Sequence, residues 1–206
     1  MDVVPLINLN AYVLDVADID NRLISKIILS SNQKPDAVNF PHTYFEDIVL
    51  PGVPEIYDLC KKISSVVSSV LNREYSVESI WGLILNRGES VGMHSHKSNS
   101  HLYPSEFYSI VYYPSVPEGS AEIVFSLTHC NTIEQSISIK PKEGMLIIFN
   151  SYISHMTSRH MSDESRIVIS ANLCPLEPNT KIVPDWSPYR LIGNNNINLM
   201  NQEITQ

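Results

Sequence analysis

Between Ser79 and Leu173 the chain is cut into short β-favouring runs, each closed by a turn signal, and this punctuation limits the folds open to it. The candidate strands are Ser79–Asn86, Val91–His96, Phe107–Tyr113, Ala121–Ser126, Ser136–Ile139, Gly144–Phe149, Ile153–Thr157 and Arg166–Leu173. Asn86-Arg87-Gly88, Pro114 to Gly119, Pro141 to Gly144 and Arg159 to Ser165 separate them. Many short strands following helical segments predict a mainly β fold with flanking helices, a β-sandwich or jelly roll with the helices on one sheet.

Two helices are predicted ahead of the strands. Asp18 to Leu29 carries Leu23, Ile24, Ile27 and Ile28 on one side, with Asp18 or Asp20 as N-cap. Pro54 to Leu71 has a longer stripe of Ile56, Leu59, Cys60, Ile63, Val66, Val67 and Val70, and Pro54 suits a first helical turn. Val3 to Val13 reads as one or two short strands, 30–41 as a loop, and the Asn- and Gln-rich 193–206 as a loosely held tail. The expected organisation is a single domain over 1–206: N-terminal support to residue 78, a jelly-roll core over 79–175, and a C-terminal extension over 176–206.

Composition excludes several classes. A net charge of −8 without a dense Lys/Arg run argues against a nucleic-acid partner. No apolar run approaches the ~20 residues that span a membrane, and the first residues lack the basic start of a signal peptide. Cys60, Cys130 and Cys174 are widely spaced and form no CxxC, which fits a reducing, cytoplasmic setting.

The chemistry-bearing residues are histidines and one arginine. His94 and His96 stand at i, i+2, so on a strand both rings project from one face. His155 ends a later apolar run and can complete a facial metal site, since neutral imidazole suits Fe, Zn, Cu and Ni. The last strand alternates strictly: Ile167, Ile169, Ala171 and Leu173 on one face, Arg166, Val168, Ser170 and Asn172 on the other. If the apolar face meets the helices, Arg166 looks into the barrel, where a guanidinium requires an anionic guest such as a carboxylate. A hairpin could bring His155 and Arg166 to one face. The alternative has Arg166 in solvent or paired with Asp163 or Glu164. His129 and His160 lie in predicted turns and are read as surface residues.

The ordered set Gly88-x5-His94-x-His96, Tyr112-Tyr113, His155 and Arg166, with the stretch Trp81 to Gly88 leading into it and Tyr108 to Tyr113 following, resembles the Fe(II)/2-oxoglutarate-dependent oxygenases over about residues 80–173. The likeness is to the prolyl-hydroxylase-like branch and to oxygenases of phage and marine bacterial genomes. It implies a double-stranded β-helix, with Fe(II) held by His94, residue 96 and His155. It also implies 2-oxoglutarate with its far carboxylate on Arg166 and Tyr113, Tyr112 being the second tyrosine candidate. The implied reaction consumes O2 and couples oxidative decarboxylation of 2-oxoglutarate to hydroxylation, or a related C–H oxidation, of a small molecule, amino acid or peptide. His101, within an inserted stretch at 97–106, is expected to face that substrate. The family usually has Asp or Glu where this chain has His96. Three arrangements follow: His96 ligates as a neutral third ligand, which is the reading adopted, or it swings away, or a carboxylate such as Glu106 takes its place.

Two other readings compete. The spacing Gly88-x5-His94-x-His96 and Gly144-x10-His155 also fits a cupin, a metal-dependent dioxygenase or isomerase without 2-oxoglutarate, but its expected Glu, Pro and Gly are missing and it gives Arg166 no task. A non-catalytic jelly-roll binding protein would hold no metal. Oligomeric state is not readable from the sequence.

Overall fold

A computed structural model describes residues 10–30, 42–44, 54–96, 107–129 and 132–176. The expected strand residues before Asn10, the loop at 31–41, the insertion at 97–106 with His101 and Glu106, and the tail at 193–206 lie outside the described residues. The elements run β1 (Ala11–Asp15), α1 (Asn21–Ser30), β2 (His42–Tyr44), α2 (Pro54–Leu71), β3 (Tyr75–Leu85), β4 (Tyr108–Ser115), β5 (Ile123–His129), β6 (Thr132–Ile139), β7 (Met145–Asn150), β8 (Ser154–Thr157) and β9 (Arg166–Pro175).

Both helices form where apolar spacing and caps coincide. Asp20, the second of the two cap candidates, accepts the Leu23 N–H at 2.9 Å. In α2, Ile56, Leu59, Cys60, Ile63 and Val67 are buried, following the predicted stripe. The helix ends where Asn72 turns to a φ of 50° and the Arg73 N–H reaches back to the Ser68 carbonyl at 3.2 Å, a Schellman-type stop. No described helix is long and apolar enough to cross a membrane.

The strands form two antiparallel sheets, ordered β1-β7-β4-β9-β3-β2 and β6-β5-β8. One core cluster joins the helices to the outer face of the larger sheet through Ile24, Ile28, Ile56, Ile63, Ile110, Leu146, Ile148, Ile169, Ala171 and Leu173. A second fills the interior with Leu83, Leu85, Val111, Tyr113, Ile123, Phe125, Ile147, Phe149 and Val168. This is the predicted jelly roll, a double-stranded β-helix with both helices on one sheet. The alternation read for β9 holds: Ile167, Ile169, Ala171 and Leu173 join the helix-side core and Val168 joins the interior.

Two local expectations are corrected. Residues 91–96 form no strand; they lie along β8 through scattered bonds, with a bridge between His94 and His155. Val91 is held to Thr157 and His94 to His155, three steps on one side against two on the other, and His96 donates its N–H to Ser151. The register is broken at each step, so no ladder propagates. Nor do β8 and β9 form a hairpin: they belong to different sheets, and His155 and Arg166 both enter the interior from those separate walls.

Candidate metal and carboxylate site

The loss of a regular ladder does not separate the histidines. His94, His96 and His155 each offer a ring nitrogen, and these atoms lie within 4.8 Å of one another. The His94 and His96 rings stack at 5.2 Å with planes 24° apart, while the His155 ring sits 4.3 Å from His94 and 5.0 Å from His96.

In every ring the Nδ1 atom has an acceptor. It faces the Gly92 carbonyl at 2.8 Å in His94, the Ile153 carbonyl at 2.9 Å in His155, and Asn172 Oδ1 at 2.7 Å in His96. With the proton on Nδ1, the Nε2 lone pair is the atom left to meet a metal. Burial lowers the pKa of His96 to about 4, against the opposing Asn172 hydrogen bond, with the neighbouring His94 adding to the drop. Burial likewise lowers His155 to about 3, opposed by its bond to Ile153 and assisted by His94 and His96. Both rings are therefore neutral at pH 7, the state a metal requires. Phe125 and Phe149 pack against His155 at 6.0 and 4.8 Å and give the site an apolar wall.

The second half of the site is Arg166, only 1% exposed. Its Nη1 donates to the Ala121 carbonyl at 2.7 Å, its guanidinium carbon lies 5.6 Å from the centre of the Tyr113 ring, and its Nε has no partner. The hydroxyl of Tyr113 is also buried without a partner. Burial pushes Tyr113 up to about 12, opposed by Arg166, so the phenol stays protonated and able to donate. Asp163, one of the two partners considered for Arg166, is taken by Arg87 at 2.7 Å. Two buried donors facing an interior are the fit expected for a carboxylate. Three Nε2 atoms able to converge are the fit expected for a divalent metal. The residues present therefore suit an iron and a 2-oxo acid together.

Tyr112 is a correction. Its side chain lies on the opposite face of β4, in the helix-side core, and its hydroxyl donates to Asn21 Oδ1 at 2.5 Å. It cannot reach the interior that holds Arg166. His160 is a second correction: it is fully buried. Its Nε2 bonds the Glu164 carbonyl at 2.7 Å and its Nδ1 accepts the Ala121 N–H at 3.3 Å, stapling the segment that supplies the Arg166 carbonyl partner. The sequence reading also missed Ser109 and Ser151, buried beside His96. Only the inward face assigned to Asn172 hinted at that polar cluster.

The fold is a double-stranded β-helix whose interior gathers three histidines that could hold a metal ion, with a buried arginine and tyrosine on another wall. A family model described as "Putative 2OG-Fe(II) oxygenase" matches residues 79–172. That stretch, which carries the three histidines, Tyr113 and Arg166, is similar to the 2OG-Fe(II) oxygenases, enzymes that use Fe(II), 2-oxoglutarate and O2. Solved structures share the fold. HygX from Streptomyces hygroscopicus, crystallised with nickel, 2-oxoglutarate and hygromycin B, superposes with a TM-score of 0.64 at 11% identity, over 81% of this chain and 83% of its own. The carbocyclase SnoK from nogalamycin biosynthesis gives 0.62 at 10%, covering 80% and 79%. A Pseudomonas putida prolyl-4-hydroxylase gives 0.57 at 9%, covering 82% and 94%. No curated protein matches the chain by sequence.

Proposed function

We propose that His94, His96 and His155 hold Fe(II) through their Nε2 atoms, and that Arg166 and Tyr113 receive the far carboxylate of 2-oxoglutarate. The observation that carries this reading is the pairing of three rings whose Nδ1 atoms are already committed with a buried guanidinium whose Nε lacks a partner. When bound, the iron supplies O2 activation and, with oxidative decarboxylation of 2-oxoglutarate, oxidation of a substrate C–H bond.

The chain's own residues do the rest. The carbonyls of Gly92 and Ile153 and the amide of Asn172 fix the tautomer of each ring. Arg166 neutralises the co-substrate carboxylate, with Ala121 holding its Nη1 so that Nε points elsewhere. Tyr113 donates the second hydrogen bond. Phe125 and Phe149 keep water from one side of the metal. The substrate is taken to be a small molecule, amino acid or peptide. That choice is supported by the hygromycin B in one relative and by the prolyl-4-hydroxylase activity in the name of another, while the net charge of −8 disfavours a bulky polyanion. We take 1–206 as one oxygenase unit working in the cytoplasm, a setting suited to the free thiols of Cys60 and Cys174.

A cupin-like enzyme without 2-oxoglutarate would leave Arg166 and Tyr113 idle. Anaerobic addition of 2-oxoglutarate to the Fe(II)-loaded protein decides between them. A visible charge-transfer band is expected in wild type, and it should be lost in Arg166→Ala and retained in Glu106→Ala. A wild-type protein that binds iron but shows no band excludes the 2-oxoglutarate reading.

A further inference from the structure

Behind His96 lies a closed polar chain that the family resemblance does not call for. Ser109 Oγ donates to Asn172 Oδ1 at 2.9 Å and lies 2.8 Å from Ser151 Oγ. The same Asn172 oxygen sits 2.7 Å from His96 Nδ1, and Ser109 Oγ lies 3.0 Å from that nitrogen. Asn172 Nδ2 donates to Ser79 Oγ at 3.1 Å, which turns the amide so that its oxygen faces the ring. Ser109 and Ser151 are buried, and the Ser151 carbonyl takes the His96 N–H at 2.8 Å. Asn172 from β9 and Ser109 from β4 thus reach the imidazole, and Ser79 from β3 and Ser151 from the turn before β8 each hold one of them.

This arrangement has a direction. Ser109 spends its proton on Asn172, so Ser151 donates to Ser109, and Asn172 Oδ1 is left as an acceptor for the ring. An acceptor behind Nδ1 requires the proton there and exposes Nε2. His94 and His155 obtain the same tautomer from carbonyls of their own segments, two residues back. His96 has no such local acceptor at Nδ1; its partner comes from β9. We propose that Asn172 is a positioning residue that fixes the Nδ1–H tautomer and rotation of His96, and so makes an imidazole serve at a position where the family usually has a carboxylate. The proposal rests on the metal reading of the histidine triad.

The test uses the full chain with Co(II) as the probe metal and with imidazole 1H–15N correlation spectra. In the metal-free wild type, the His96 signal, assigned by its loss in His96→Gln, is expected to report the Nδ1–H tautomer. Asn172→Leu removes the acceptor and should weaken Co(II) binding by about 10–100-fold while the His96 tautomers mix. Asn172→Asp, which can only accept, should restore the tautomer and bring affinity back to within a few-fold of wild type or tighter. A Co(II) affinity in a folded Asn172→Leu that equals wild type overturns the proposal. So does an Nε2–H tautomer in wild type, a measurement that stands even if Asn172→Leu does not fold. Failure of wild type to bind Co(II) at all overturns the triad reading itself, and the two failures are thereby told apart.

Discussion

His94 and His155 exchange both of their backbone hydrogen bonds, at 2.9 and 2.8 Å, so two of the three candidate ligands are joined through the main chain independently of their side chains. The ring positions inherit that bridge, and their carbonyl partners lie within the same two segments.

Because this bridge is made by backbone, the imidazoles can be removed without undoing it. His94→Gln and His155→Gln should remain folded, with metal-free thermal midpoints within a few degrees of wild type. Each should lower Fe(II) affinity by more than the roughly 10–100-fold typical of outer-shell changes. Anaerobic iron titration with circular dichroism on the same samples checks both halves. Unchanged iron affinity in either variant would remove that histidine from the ligand set.

Acid should destabilise the metal-free protein through His96 and His155. Their folded pKa values, about 4 and about 3, lie below the ordinary 6.5. A group with a depressed folded pKa that is neutral in the native state contributes stability above its unfolded pKa, and this is lost as pH falls toward the folded value. The window is therefore from about pH 6.5 down to 3–4. Between pH 7.5 and 5 each histidine accounts for about 2 kcal/mol of lost stability. Urea denaturation of metal-free protein at the two pH values measures it, and His96→Gln should show a shallower dependence. A flat profile would mean that these rings titrate in the folded state as freely hydrated imidazoles do, and a stability that rises toward pH 5 would mean that they are charged there.

Arg166 offers a test in the opposite direction. A guanidinium that is 1% exposed, with a carbonyl and an aromatic face for company and Nε unpartnered, is costly to keep buried. Desolvation lowers its pKa, opposed by Tyr113, which marks the same tension. Arg166→Met should leave the ligand-free protein as stable as wild type or more so. It should also abolish the thermal stabilisation by 2-oxoglutarate, which in wild type reaches about 2.7 kcal/mol at a hundred times Kd. A large loss of ligand-free stability would show that Arg166 serves the fold instead.

Much of this was legible in the chain. α2 is found over the predicted Pro54–Leu71, because a proline start and a continuous stripe leave one helical solution. β9 was legible because one of its faces is wholly apolar and the other carries Arg, Ser and Asn. The strand expected at Val91–His96 was not, because an i, i+2 histidine pair looks the same on a ladder and on an extended segment with broken register. His160 was read as exposed since its surroundings look like turn; both its ring bonds go to backbone groups, which leave no mark in a sequence. The partner sheets of β8 and β9 were hidden for the same reason: turn signals give the ends of strands but not which strand lies beside which.

The two adjacent tyrosines show where periodicity gives no answer, and they supply the sharpest comparison. Every residue of β4 from Ser109 to Pro114 is buried, so apolar content cannot say which of Tyr112 and Tyr113 looks inward. The structure sends Tyr112 to Asn21 among the helices and leaves the Tyr113 hydroxyl inside beside Arg166. Tyr112→Phe should then cost about 0.5–1.5 kcal/mol of stability through the lost bond to Asn21 and leave 2-oxoglutarate affinity untouched. Tyr113→Phe removes a hydroxyl that has no partner in the ligand-free chain, so its stability should hold or rise slightly, while 2-oxoglutarate should bind about 10-fold or more weakly for want of one hydrogen bond to a charged group. Chemical denaturation and titration of the anaerobic chelate band separate the pair. Weakened 2-oxoglutarate binding in Tyr112→Phe, with none in Tyr113→Phe, would reverse the assignment of faces on β4 and displace the carboxylate from the interior beside Arg166.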